Sequence, residues 1–212
     1  VRRQRQMCIR DSNKQYPDAG FKILESGSID ASMGFNFLLK CLTAVAIASI
    51  LMVIYVTLRF KKIGGLSAGV TALIALFHDV AMIYFMYVIF RMPIDSNFIA
   101  VVLMILGYSL NDTIVIYDRV REERKALGRK TDAGMVFNLS ATKSLKRTII
   151  TSVTTLSAIL IVYIVALVYN ISSVQAFALP MIIGIISGCY SSICIAGPLW
   201  VLWQRKKKNS KK

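Results

Sequence analysis

Gly107-Tyr108-Ser109-Leu110-Asn111-Asp112-Thr113 (GYSLNDT) lies inside the apolar run 98–117. An aspartate in such a run costs about 2.5–3.5 kcal/mol at the centre of a bilayer on insertion scales. Leucine would serve in a segment that only had to cross. Asp112 therefore reads as a working group in an ion or proton path, with a structural hydrogen bond between helices as the alternative.

The rest of the chain supplies the membrane context. It has 212 residues, 56% of them hydrophobic, and a mean hydropathy of +0.59. Crossing the roughly 30 Å hydrocarbon core takes about 20 helical residues. Five runs meet that need: 35–58, 67–90, 98–117, 148–169 and 174–203. The last exceeds one straight span and calls for a tilt or an interfacial end. The fold class is thus an all-α integral membrane protein, a bundle of five transmembrane helices.

The net charge of +15 raises nucleic acid as a partner, but its distribution speaks for topology instead. Arg59, Lys61 and Lys62 follow the first run, nine basic residues lie from Arg119 to Arg147, and six follow Trp203. The intervening short loops hold only Arg91 and no basic residue, respectively. Basic loops mark the cytoplasmic side. This puts the C-terminus in the cytoplasm, and the basic ends suit anionic lipid. The tail 205–212 has no aromatic or fold motif of a nucleic-acid binder.

Cys8, Cys41, Cys189 and Cys194 show neither metal spacing nor disulfide logic, and His78 is the single histidine. No P-loop is present. Neither a metal nor a cofactor is expected, and no nucleophile–base pair points to an enzyme.

Residues 1–12 put four arginines on the side that the loops assign to the exterior. They read as a non-native leader, and 13–34 as the remnant of an extracytoplasmic domain. The bundle then covers 35–204, with a cytoplasmic loop at 119–146. Within that loop, 119–127 is helix-prone and Gly128 ends it. Residues 133–145 either lie along the membrane surface or pack on the bundle.

Polar groups recur inside the runs. In 98–117, Tyr108 and Ser109 share a face with Asp112, while Gly107 and Asn111 form an adjoining stripe. Together they read as one wedge pointing into a protein interior. The second run carries His78-Asp79, about 100° apart on a helix. Asp79 is a candidate to pair across the bundle, and His78 to titrate near neutral pH; the alternative is a polar pair bonded to partner helices. The fourth run opens with Arg147, followed by Thr151, Thr154 and Thr155 on one face. Arg147 there is a candidate counter-ion for a buried carboxylate, or a snorkelling arginine. Gly184 and Gly188, with Ser191 further along, mark a closely packed side of the last run.

The motifs GYSLNDTIVIYDRVR (107–121), His78-Asp79, KRTIITS (146–152) and GIISGCYSS (184–192) occur together in compatible spacing. In that combination the chain resembles the SecF family of protein-export membrane subunits, of the resistance–nodulation–division superfamily. The resemblance covers about residues 26–203. It implies half of such a transporter, with six spans and a large exterior domain between the first and second. The five runs here would be the family's second to sixth, and the stretch before them would be truncated. It also implies pairing with SecD, association with the SecYEG channel, and use of proton motive force to draw preproteins across the cytoplasmic membrane of bacteria. On the matching positions, Asp112 and Arg147 would serve proton passage, with His78 and Asp79 as further members of the path. A small-molecule efflux pump of the same superfamily and a structural scaffold of the channel are the competing readings.

Overall fold

The structure, a computed structural model, describes residues 31–128 and 131–209. Its elements are α1 (Ala31–Arg59), a 3₁₀ turn (Lys61–Ile63), α2 (Gly65–Ile89), α3 (Ser96–Leu127), α4 (Ala133–Val168), α5 (Ser172–Ser191), a π-helical turn (Ser192–Ala196) and α6 (Gly197–Asn209). The expected leader at 1–12 and most of the remnant at 13–34 lie outside the described residues. By its contacts the chain divides at Ala44 and Val45. Before the division the described residues are the opening turns of α1, where the Thr43 hydroxyl bonds back to the Leu39 carbonyl at 2.6 Å. The second unit holds the remainder of α1 and every later element.

Among the described residues, five stretches are long and apolar enough to cross a membrane: Leu39–Arg59, Gly65–Ile89, Asn97–Leu127, Ala133–Val168 and Ser172–Asn209. They follow the five expected runs, and the chain is an all-helical, multi-pass membrane protein. The outer faces of these helices need no cover from other helices, since lipid is as apolar as their side chains. Ile47, Ile50, Leu51, Phe77, Ile161 and Leu202 are all exposed there.

Local chemistry sets the ends. Gly64 takes a left-handed φ of 91° between the 3₁₀ turn and α2, a conformation that costs glycine little. A side chain at Gly65 would overlap the Thr57 carbonyl, so α2 can start hard against α1 only with glycine there. Asp95 caps α3 by accepting from the Asn97 amide at 2.9 Å, and Asp132 caps α4 by accepting from the Gly134 amide at 2.9 Å.

The stretch expected as the loop 119–146 is mostly helix: the helix-prone part 119–127 continues α3 to Leu127, Gly128 ends it as read from the sequence, and α4 begins at Ala133. Residues 133–145 are the first turns of α4 and pack on the bundle through Val136, Phe137, Ser140 and Ser144, rather than lying along a membrane surface. At about 1.5 Å per residue these helices outreach the hydrocarbon core, and ion pairs hold their polar ends. Arg59 pairs with Asp118 at 3.1 Å, Lys143 with Glu123 at 2.7 Å and Arg205 with Asp132 at 2.9 Å.

The long last run is broken by its π-helical turn. Pro198 has no amide hydrogen to give the Cys194 carbonyl, and its ring crowds that carbonyl; a wider turn just before it relieves both. The core falls into two apolar clusters. One, at the basic end, includes Phe60, Tyr117, Val136 and Trp200; the other includes Leu76, Ile83, Ile105 and Ile185. Between them lies a buried polar layer of Asp79, Ser109, Asp112, Thr113, Ser187, Ser191 and Ser192.

Candidate functional site

Asp79 on α2 is fully buried. Its Oδ2 accepts from the Ser109 hydroxyl of α3 at 2.6 Å and from the Ser191 hydroxyl of α5 at 2.8 Å. Its Oδ1 accepts from the Ser187 hydroxyl of α5 at 2.7 Å. His78 Nδ1 lies 3.4 Å from Oδ1, while the His78 ring is partly exposed and sits 6.4 Å from that of Tyr190. A buried carboxylate needs such donors. They come from helices 30 to 112 residues away in sequence.

Asp112 on α3 is 2% exposed and faces α4. Ser152 lies beside it, and Tyr108 of α3 donates to the Ser152 hydroxyl at 3.2 Å. Asp112 Oδ2 accepts no hydrogen bond from the described residues, and the buried Thr148 hydroxyl on the same side of α4 also makes none with them. Arg147 stands on the exposed side of α4. Its charge attracts Asp112, although the two form no ion pair within 4 Å. Arg147 lines a cleft of about 390 Å³ at the basic end, with Asn111, Asp118, Glu122 and Lys143.

The polar wedge of α3 divides. Ser109 and Asp112 point inward and Tyr108 is half-buried, but Gly107 and Asn111 are exposed. No atom lies within 4 Å of a Cβ placed at Gly107, so this glycine packs against no other described helix. The reason is rotational: polar residues spread from 107 to 112 pass right around a helix at about 100° per residue. On α4 the inward stripe is Ser140, Ser144, Thr148 and Ser152, one residue out of phase with the Arg147, Thr151 and Thr154 face. Thr151 is half-buried and its hydroxyl bonds to the Arg147 carbonyl at 2.9 Å.

On α5, a Cβ at Gly184 would come within 2.6 Å of the Ile105 side chain, and one at Gly188 within 3.1 Å of Ser109 Cβ. The glycines thus let α5 approach α3 closely, which brings Ser187 and Ser191 within reach of Asp79. Next along, Thr113 and Ser192 share a hydrogen bond of 2.9 Å, and Ser192 also donates to the Ser109 carbonyl at 3.2 Å. Sequence reasoning takes Ser187 and Ser191 for packing residues and gives Thr113, Ser152 and Thr148 no part in the site. The available signal is the i,i+4 pair of serines on one helix and an unpartnered aspartate on another. Among the described residues no three or more His, Cys, Asp or Glu side chains converge as a metal site.

Among the described residues, five apolar spans and a buried layer with two carboxylates define a polytopic helical membrane protein whose interior carries ionisable groups. Comparison with known proteins narrows the class. The chain belongs to the SecD/SecF family: the family described as "Protein export membrane protein SecD/SecF, C-terminal" matches residues 9–206. The protein translocase subunit SecF of Borreliella burgdorferi is 38% identical over 203 residues, covering 96% of this chain and 65% of that protein. The protein translocase subunit SecDF of Bacillus subtilis is 36% identical over 187 residues, 86% of this chain and 24% of that one. The crystal structure of SecDF in its super-membrane-facing form aligns with a TM-score of 0.76 at 31% identity, over 98% of this chain and 27% of that one. The chain therefore spans just under two thirds of the SecF relative and about a quarter of the SecDF proteins.

Proposed function

We propose that this chain is the membrane part of an accessory subunit of the Sec protein translocase, driven by an ion gradient rather than by hydrolysis. It would work with SecD at the SecYEG channel to promote preprotein export across the bacterial cytoplasmic membrane, with its C-terminus in the cytoplasm. The names of the relatives support the translocase role, and the occurrence of SecDF as one protein supports SecD as the partner. The basic helix ends suit that orientation and contact with anionic lipid.

One observation carries the ion-driven reading. Asp112 is buried with an oxygen that accepts no hydrogen bond from the described residues, and its neighbour Asn111 lines the charged cleft that holds Arg147. Ionised, Asp112 attracts Arg147; protonated, it does not. Two charge states then favour two arrangements of α3 and α4. One elementary charge crossing 100 mV supplies about 2.3 kcal/mol, enough to bias a modest two-state equilibrium.

The outward face of Gly107 and Asn111 supports a partner inside the membrane. A small residue beside a polar one suits a second helix better than lipid. The test is proton-motive-force-dependent release of a preprotein from vesicles by the full-length protein with SecD and SecYEG. Asp112→Asn would abolish the stimulation while the assembly persists.

A further inference from the structure

Between α2 and α6, at the basic end of the bundle, runs a groove of about 620 Å³. Ile74 of α2 and Leu199 and Leu202 of α6 give it apolar walls, and Lys206 and Lys207 line its basic end. A smaller cleft of about 290 Å³ adjoins it, lined by Thr57, Lys61 and the first residues of α2. Trp203 and Lys207 line both, so the two form one path. Ile74, Leu202 and Trp203 are exposed, which opens the groove to the face that meets lipid.

The walls are fixed to one another. Gln204 Nε2 donates to the Ile63 carbonyl at 2.9 Å and to the Ser67 hydroxyl at 2.8 Å, which ties α6 to the start of α2. At about 1.5 Å per residue, Gly65 to Ile74 spans about 13 Å and Leu199 to Lys207 about 12 Å. Both walls therefore reach the same depth below the lysines. Trp203 stands where the apolar wall meets the charges, the level at which tryptophan is enriched in membrane proteins.

The charge at the mouth is one-sided. Among the described residues no acidic side chain lines the groove or the cleft. Arg59, Lys143 and Arg205 are taken up by ion pairs, but Lys61, Lys206 and Lys207 form none within 4 Å with the described residues. The Thr57 hydroxyl, a buried oxygen without a hydrogen-bond partner among the described residues, lines the same cleft. The start of α2 also opens there, and no side chain caps it. The first amides of a helix point outward and favour an anion. An apolar channel a dozen ångströms deep under such a mouth matches an anionic head group with a chain attached.

We propose that this groove binds one anionic phospholipid of the cytoplasmic leaflet. Its phosphate sits at Lys61 and Lys207, and an acyl chain runs along Ile74, Leu199 and Leu202. This rests on the reading that the basic helix ends face the cytoplasm and touch anionic lipid, and gives that diffuse contact a defined site. The bound lipid joins the end of α1, the start of α2 and α6.

Native mass spectrometry of the full-length protein in detergent, titrated with phosphatidylglycerol, tests it. Wild type should retain one such lipid in preference to phosphatidylcholine. Lys61→Gln with Lys207→Gln should weaken retention about thirtyfold, since each lysine near an anionic surface is worth about fivefold. Lys125→Gln with Lys146→Gln removes the same charge from exposed positions outside the groove and should leave retention unchanged. Ile74→Trp fills the apolar wall at constant charge and should weaken it about tenfold. Equal losses in the two double variants would overturn the site and leave only the diffuse contact. No preference for phosphatidylglycerol in any form would overturn both. Competition by glycerol phosphate, the head group without chains, or retention untouched by Ile74→Trp, would make this an anion site and overturn the lipid. Loss of the lipid when SecD is added would give the groove to a partner helix and overturn it too. The readout is bound lipid and not export, so failure of the Asp112 reading would leave it intact.

Discussion

The Ser109 hydroxyl donates to Asp79 Oδ2 at 2.6 Å, tying α3 to α2 three residues before Asp112. A single helix thereby meets two buried carboxylates, its own on the side of α4 and that of α2 through one serine. Any shift of α3 that serves Asp112 also strains or relaxes the bond at Ser109.

Ser109→Ala removes a donor from a charged, fully buried acceptor. Hydrogen bonds to charged groups contribute about 1.5–3 kcal/mol, and the loss here should fall in that range. Thermal unfolding in detergent, followed by helical circular dichroism, measures it. A change within the scatter of exposed-site variants such as Ser157→Ala would mean that Asp79 is satisfied without Ser109.

The contact of Gly184 with Ile105 predicts overpacking. Gly184→Ala places a methyl about where the Ile105 side chain stands, and such insertions typically cost about 1–3 kcal/mol. Gly188→Ala, with more room, should cost less. Ile105→Ala combined with Gly184→Ala should be more stable than the sum of the two single changes, because the truncation makes space for the methyl. Strict additivity would show that α3 and α5 do not meet there.

Asp132 gives a pH dependence outside the membrane-spanning segments. The Arg205 guanidinium beside it, with help from the Gly134 amide, holds its carboxyl below the usual carboxylate range. A carboxyl lowered in the folded state contributes stability above its unfolded value of about 3.9. That contribution is lost as pH falls through the lower folded value. Wild type should therefore unfold at a higher temperature than Asp132→Asn at neutral pH, and the gap should close in strong acid. A gap that persists there would assign the effect to capping geometry and not to charge.

The outward stripe on α3 separates folding from assembly. Position 107 meets no other described helix and position 111 is exposed, so neither Gly107→Leu nor Asn111→Leu should unfold the bundle. Both should weaken co-purification with SecD if that face meets the partner in the membrane. Unchanged co-purification would direct the partner to another face.

Much of this architecture was legible in the residues. Five apolar runs of spanning length foretold five helices, because an unpaired backbone in lipid is satisfied within a helix. Their ends were less legible. Gly128 marked the end of α3, but hydropathy placed the start of the fourth run at 148, whereas α4 already begins at Ala133, held by Asp132 capping and by pairs such as Lys143 with Glu123. Asp112 and Asp79 stood out as costly in an apolar run. The serines that satisfy Asp79 did not, since Ser187 and Ser191 lie 108 and 112 residues away and look like packing residues. Helical phase also limited the reading. A polar cluster as dense as 107–112 covers every direction, so only packing decides that Asp112 turns inward and Asn111 outward.

Coupling of an ion gradient to export through Asp112 and Arg147 meets its sharpest test in preprotein release from vesicles, with and without proton motive force. The full-length protein would be assembled with SecD and SecYEG, and wild type compared with Asp112→Asn and Arg147→Met, each first checked for co-purification with SecD. Both variants should assemble and lose the gradient-dependent part of release. Full gradient-dependent release in both assembled variants would remove Asp112 and Arg147 from the ion path.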